Sequence, residues 1–219
     1  MPIKPKAVLF DLDGTLLDTA PDLAFALNQL RQEKQLPALP LDILRPLVSL
    51  GSKAMIKFAL GIDENASTFN DLREQFLFLY QQHIADSTRT FPDIEKVLTH
   101  LVNERIPWGI VTNKLTRHTT ALLQTLSFIE KPHCVICGDS LPTYKPDPAP
   151  IIYACELLKQ APKDCLYIGD SKTDVIASKR AGTKSLVALY GYIAANENPF
   201  NWQADGYIRQ PIEIIEWLI

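Results

Sequence analysis

The chain contains no apolar run approaching the roughly 20 residues that a membrane-spanning helix needs. Its N-terminal apolar segment is also too short, and meets acids too soon, for a secretory signal. There is no basic block. Its 22 Lys and Arg face 25 Asp and Glu, for a formal net charge of −3, which argues against a surface built for nucleic acid or anionic membranes. Cysteine is scarce: Cys155 and Cys165 stand alone, and the CxxC of Cys134 and Cys137 lacks the second pair of a zinc site. The intervening Val-Ile reads as a strand whose alternation sends the two thiols to opposite faces, so structural free thiols are expected. What remains is the profile of a cytoplasmic globular protein, with 47% apolar and 21% charged residues over 219 positions, enough for one or two domains.

Short apolar runs recur: "AVLF" at 7–10, "WGIVT" at 108–112, "CLYIG" at 165–169 and "SLVALY" at 185–190, with a weaker "CVIC" at 134–137. Segments of helical periodicity at 92–103, 116–126, 148–159 and 172–181 alternate with them. This order predicts the α/β class, a Rossmann-like parallel sheet core with helices on both faces. Ligands of such sheets bind beyond the carboxyl ends of the strands, where Asp11, Thr112 and Asp170 fall. Between the first two strands the rhythm breaks. Helices are expected at 21–33, 52–60 and 67–86, the last with Phe69, Leu72, Phe76, Leu79 and Tyr80 on one face. The expected division is a core of 1–16 and 89–219 interrupted by an all-helical insert at 17–88.

The stretch "AVLFDLDGTLLDT" ends a buried strand on Asp11 and Asp13, whose charges repel unless a cation or proton offsets them. Gly14 permits a tight turn that exposes backbone amides. A second strand, "CLYIGDSKTD", ends on Asp170, with Asp174 one helical turn further. The two turns together could offer Asp11, Asp13, Asp170 and Asp174 to one hard cation, and oxygen-only donors suit Mg²⁺. Either turn alone reads equally as helix caps and solvated acids. Thr112 and Asn113 in "IVTNK" are donors suited to phosphoryl oxygens, and Lys145 in "YKPDP" is a counter-charge held beside a proline.

The four pieces DLDGT, VTN, KPDP and GDSKTD, in that order, resemble the haloacid dehalogenase superfamily of phosphatases. The insert looks like the helical C1-type cap of that family. "DTAPDL", "KPDPAP" and "GDSKTD" are similar to its phosphoglycolate phosphatase branch, and "LVSLGSKAMIKFALG", "WGIVTNK" and "YGYIAANENPFNWQAD" to bacterial N-acetylmuramic acid 6-phosphate phosphatases. The resemblance implies a Mg²⁺-dependent phosphomonoesterase acting on a small-molecule phosphate ester, with no nucleic-acid or membrane partner and with monomer and homodimer both open. Asp11 would be the nucleophile, and Asp13 the general acid and base, protonated at substrate binding by its crowding against Asp11. Asp11, the Asp13 carbonyl and Asp170 would hold the metal, with Asp174 orienting metal waters or Lys145. Thr112, Asn113, Lys145 and the amides around Gly14 would cradle the phosphoryl group, while Thr15 and Asp18 shape the turn and hinge. Arg45, Ser52 and Lys53 are cap candidates for a substrate carboxylate, and Phe200 and Trp202 either stack on a sugar or pack in the core. A mutase of the β-phosphoglucomutase type and a catalytically silent binding protein are the alternatives. A dehalogenase or a Lys53-dependent phosphonatase fits less well.

Overall fold

The computed structural model describes residues 4–126, 128 and 130–218. Strand β1 (Ala7–Phe10) leads into a two-residue strand β2 (Leu17–Asp18). Four helices follow: α1 (Ala20–Glu33), α2 (Leu41–Leu44), α3 (Gly51–Leu60) after a 3-10 segment (Arg45–Leu50), and α4 (Phe69–Gln82). A second two-residue strand, β3 (Arg89–Thr90), closes this region. Alternation then resumes with α5 (Ile94–Asn103), β4 (Trp108–Val111), α6 (Thr116–Thr125), β5 (Cys134–Ile136) and α7 (Ala149–Leu157). It continues through β6 (Cys165–Gly169), α8 (Lys172–Ala181), β7 (Lys184–Ala188) and β8 (Gly206–Ile208).

Six strands form one parallel sheet in the order β5-β4-β1-β6-β7-β8. β1 lies at its centre with all four residues fully buried, as expected where helices cover both faces. Alternation along the strand divides the core: Val8 and Phe10 join Trp108, Ile110, Leu166 and Ile168 on one face. Ala7 and Leu9 join Val111, Tyr167, Ile151 and Cys155 on the other. Phe10 meets Trp108 edge to face at 6.1 Å between ring centroids, the arrangement that aromatic quadrupoles prefer.

The expected strands are present with ends shifted by one or two residues. β8 was missed because three residues between polar turns carry too little periodicity to read. All four cysteines are free and buried, and burial pushes the Cys134 thiol up to about 11. No helix among the described residues is long and apolar enough to cross a membrane.

The insert packs Leu23, Leu27 and Leu30 of α1 against Met55 and Ile56 of α3 and Phe69, Phe76 and Tyr80 of α4, all buried. α4 stops at Gln82, short of the expected 86, and α2 with its 3-10 extension adds helical residues between the first two expected helices. Pro21 in the first turn of α1, with Asp22 beside it, suits a helix start, where an N–H is spare and the dipole favours an acid. β2 and β3 pair antiparallel, Leu17 with Thr90 and Asp18 with Arg89, so the insert leaves and rejoins the chain side by side. Asp22 locks this junction by accepting from Ser87 N–H at 2.8 Å, Thr88 N–H at 2.8 Å and the Thr88 hydroxyl at 2.7 Å. Asp22→Ala strands these donors, two of them buried. It is expected to lower the unfolding free energy by roughly 3 kcal/mol, measured by urea denaturation; a loss below about 1 kcal/mol would show that the junction does not depend on Asp22.

Candidate active site

The carboxyl ends of β1, β4 and β6 bring the chemistry together. Asp11 follows β1, its N–H donating to Ile168 O at 2.8 Å across the sheet. Its Oδ1 accepts from Leu12 N–H at 2.8 Å and pairs with Lys145 Nζ at 2.9 Å. The chain then folds back through hydrogen bonds from Leu16 and Leu17 N–H to Leu12 O. Gly14 sits in this turn at φ +84°, and a Cβ there would lie 2.2 Å from Asp170 Oδ2. Glycine is therefore required twice, for the backbone angle and for the approach of the neighbouring acid.

Asp170 follows β6 and is 1% exposed. Its Oδ2 accepts from Tyr192 N–H and from the Ser49 hydroxyl, both at 2.8 Å, and its Oδ1 from the Thr15 hydroxyl at 3.3 Å. Asp174 stands in the first turn of α8 within a capping box with Ser171. One oxygen of each of Asp11, Asp170 and Asp174 lies within 4.8 Å of the others. Lys145 enters this cluster almost fully buried, with Nζ 2.7 Å from Asp174 Oδ1, 2.8 Å from Val111 O and 2.8 Å from the Tyr167 hydroxyl. Burial raises the Asp11 carboxyl to about 8, with Lys145 pulling it down and Asp174 and Asp170 pushing it up. Asp170 rises to about 7 through burial and the nearby Asp174, against donation from Tyr192 and Ser49. Three acids share one ammonium, an arrangement short of positive charge.

Asp13 is not crowded against Asp11 as the sequence suggested. Its carboxylate turns away from the cluster to Lys114 Nζ, at 3.0 and 3.3 Å, and to the Thr19 hydroxyl at 2.5 Å. Only its main-chain carbonyl therefore remains a candidate ligand for a cation held by the other acids. Lys114 lies over the Tyr80 ring at 4.6 Å. Burial works against this ammonium, but Asp13 and Tyr80 outweigh it and raise its pKa. Asp11, Asp13, Thr112, Asn113 and Lys114 form the sheet end of a cavity of about 190 Å³, while Ser52 and Arg73 from the insert, with His118 of α6, supply further polar lining.

The remaining predicted residues fare differently. Thr112 lines the cavity, its hydroxyl oxygen accepting from Lys114 N–H at 3.2 Å and its hydrogen left to donate. The Asn113 side chain is largely spent on the Lys145 backbone, donating to Lys145 O at 2.9 Å and accepting from Lys145 N–H at 3.0 Å. It pins the lysine that it was expected to assist. Arg45 is held by Asp18 at 2.7 Å and over the Tyr192 ring, away from the cavity lining. Lys53 is exposed and faces Glu64 at 3.9 Å. Phe200 is 56% exposed and meets the Tyr207 ring at a tilt, 4.7 Å between centroids, so it neither lines this cavity nor packs in the core, and Trp202 does not line the cavity either. Sequence reading missed Lys114, Arg73, His118 and Ser49. Arg73 had a legible signal: it lies four residues after Phe69 and four before Leu77, on the flank of the buried stripe of α4.

A family model described as haloacid dehalogenase-like hydrolase matches residues 8–188. An N-acetylmuramic acid 6-phosphate phosphatase of Pseudomonas putida is 38% identical, covering 95% of this chain and 94% of its own length. A phosphoglycolate phosphatase of Xanthomonas campestris is also 38% identical, covering 97% and 96%. Among solved structures, one described as a predicted phosphoglycolate phosphatase from Haemophilus somnus superposes with a TM-score of 0.86 at 28% identity, covering 97% of each chain.

His118 yields a pH prediction. Its Nδ1 meets Gln81 Oε1 at 2.8 Å, and its Nε2 accepts from Arg117 Nε at 3.1 Å, which defines a neutral ring. Burial, with Lys114 and Arg117 nearby, lowers its pKa from 6.5 to about 4. Its stabilising contribution is therefore complete above 6.5 and is lost as pH falls toward 4. The stability difference between wild type and His118→Gln should shrink between pH 7.5 and pH 4.5 in urea titrations; a constant difference would contradict the buried neutral ring.

Proposed function

The chain belongs to the haloacid dehalogenase-like hydrolase family and is a phosphoric monoester hydrolase, and from that premise we propose that it cleaves a small anionic phosphate ester through a phosphorylated Asp11. The observation that carries this reading is the convergence of Asp11, Lys145, Asp170 and Asp174 at one sheet edge, with Asp13 turned into the adjoining cavity. An Asp11 carboxylate oxygen forms a bond to phosphorus as the ester P–O bond breaks. Asp13, in its protonated form, gives that proton to the departing alkoxide. It then takes one from the water that attacks the phosphoenzyme, releasing inorganic phosphate and the Asp11 carboxylate. The Thr112 hydroxyl, Lys145 and the Asp13 N–H, the one amide of the Asp11–Gly14 turn without a partner among the described residues, meet the phosphoryl oxygens.

The cluster fits a hard divalent cation. Its donors are all oxygens, its carboxylates outnumber its ammonium, and burial with mutual repulsion holds Asp11 and Asp170 well above the ordinary carboxylate range. Asp11, Asp170 and the Asp13 carbonyl would hold Mg²⁺, which when bound would neutralise charge on the phosphoryl oxygens. Asp174, engaged by Lys145 and Ser171, acts by orienting that lysine.

In this reading residues 17–88 are a cap over a core of 1–16 and 89–219. The cavity of about 190 Å³ falls below the ~300 Å³ at which pockets for drug-sized ligands begin. That favours an ester the size of 2-phosphoglycolate with the insert placed as found, whereas N-acetylmuramic acid 6-phosphate would require it to move outward. Both substrates are named for relatives of this chain, and kcat/KM for the two on purified protein tests the choice.

Two outcomes test the chemistry. Asp11→Asn should lower kcat on p-nitrophenyl phosphate by about 10⁴-fold or more, and retained turnover would remove Asp11 as nucleophile. EDTA should abolish hydrolysis and added Mg²⁺ should restore it; full activity in EDTA would contradict the cation assignment.

A further inference from the structure

Two cations line the cavity, and their charges are met differently. Lys114 is spent on both oxygens of Asp13. Arg73 turns Nε to the Ser52 hydroxyl at 2.8 Å and Nη1 toward Glu74 Oε1 at a long 3.3 Å. Glu74 is itself engaged by Arg117 at 2.8 Å, so one carboxylate answers two guanidiniums and positive charge is left over beside the cavity. Arg73 Nη2 makes no hydrogen bond among the described residues. Ser52 accepts from Arg73, which leaves its own hydroxyl hydrogen to donate. Leu23, Val48, Leu50, Met55 and Leu77 complete an apolar wall in the same cavity, which limits the water that could screen this charge. A second observation points to a polar ligand: Tyr80 lines the same cavity, is 1% exposed, and its phenol oxygen has no hydrogen-bond partner among the described residues.

We propose that Arg73, with Ser52, binds a carboxylate on the leaving group, so that the enzyme selects phosphate monoesters carrying a second anion. The planar guanidinium suits a carboxylate, and a charge-assisted bond in a partly enclosed cavity is stronger than one in water. One guanidinium and one neutral hydroxyl match a single negative charge, which favours a carboxylate over a second phosphate dianion. The assignment moves substrate reading from Arg45 and Lys53, which do not line the cavity, to a residue of α4. It rests on the reading of the sheet edge as the phosphoryl site and adds the class of ester that the insert admits.

The test compares two ester pairs that differ in the carboxylate arm: 2-phosphoglycolate with 2-hydroxyethyl phosphate, and N-acetylmuramic acid 6-phosphate with N-acetylglucosamine 6-phosphate. In at least one pair the wild type should favour the carboxylated member in kcat/KM by about tenfold or more. Arg73→Ala should cut that ratio by a similar factor, Arg73→Lys should restore part of it, and Ser52→Ala should lower it. Lys57→Ala, on the exposed side of α3, serves as the comparison whose ratio stays at the wild-type value. Should Arg73→Ala fail to fold by circular dichroism, the lysine and Ser52 variants decide. A wild type without preference in either pair, or an Arg73→Ala ratio equal to that of wild type, overturns the assignment while leaving the phosphatase reading intact. A folded wild type that cleaves none of the four esters overturns both.

Discussion

The buried ammonium of Lys145 is the interaction on which the sheet edge depends. Taking this charge out of water costs several kcal/mol, and the fold offsets that cost with Asp11, Asp174, the Val111 carbonyl and the Tyr167 hydroxyl. Those four partners come from the turn after β1, α8, β4 and β6. The lysine thus fixes the relative positions of the strand ends from which the site is built, and Asn113 fixes the lysine in turn. Because each partner belongs to a different segment, the site is specified by the packing of the whole sheet.

The insert reaches the same edge through polar bridges. Ser49 donates to Asp170, Gln81 meets His118, Glu74 accepts from Arg117, and Tyr80 lies under Lys114. Each joins a helical residue of the insert to a residue of the rest of the chain. The cavity is therefore bounded by two structural regions held by directional contacts, whereas the apolar core of the insert lies behind them.

The sheet and its acidic edge were legible because strand ends carry a local signature, an apolar run stopping on a charged residue. Helices 21–33 and 172–181 were legible for a similar reason, through periodicity and end signals. What could not be read were facts of orientation. Asp11 and Asp13 look alike in sequence, yet one turns to Lys145 and the other to Lys114. Arg45, Ser52 and Lys53 stood out as polar residues within one loop and helix start, but only Ser52 lines the cavity, since Arg45 is drawn to Asp18 from a distant strand. Asn113 was read as a free donor because nothing local reveals its reciprocal pairing with a residue 32 positions away.

The paired strands β2 and β3 carry a consequence for how such a chain can change over evolutionary time. The two points where the insert departs and returns are neighbours in a ladder, and adjacent strands lie only about 4.8 Å apart. Closing the intervening segment into a loop has a conformational entropy that grows only logarithmically with its length. Helices can be lengthened, shortened or exchanged between Asp18 and Arg89 while the register of the six-stranded sheet stays unchanged. The acidic edge and the surface that faces it are thus separable units of inheritance, free to diversify at different rates.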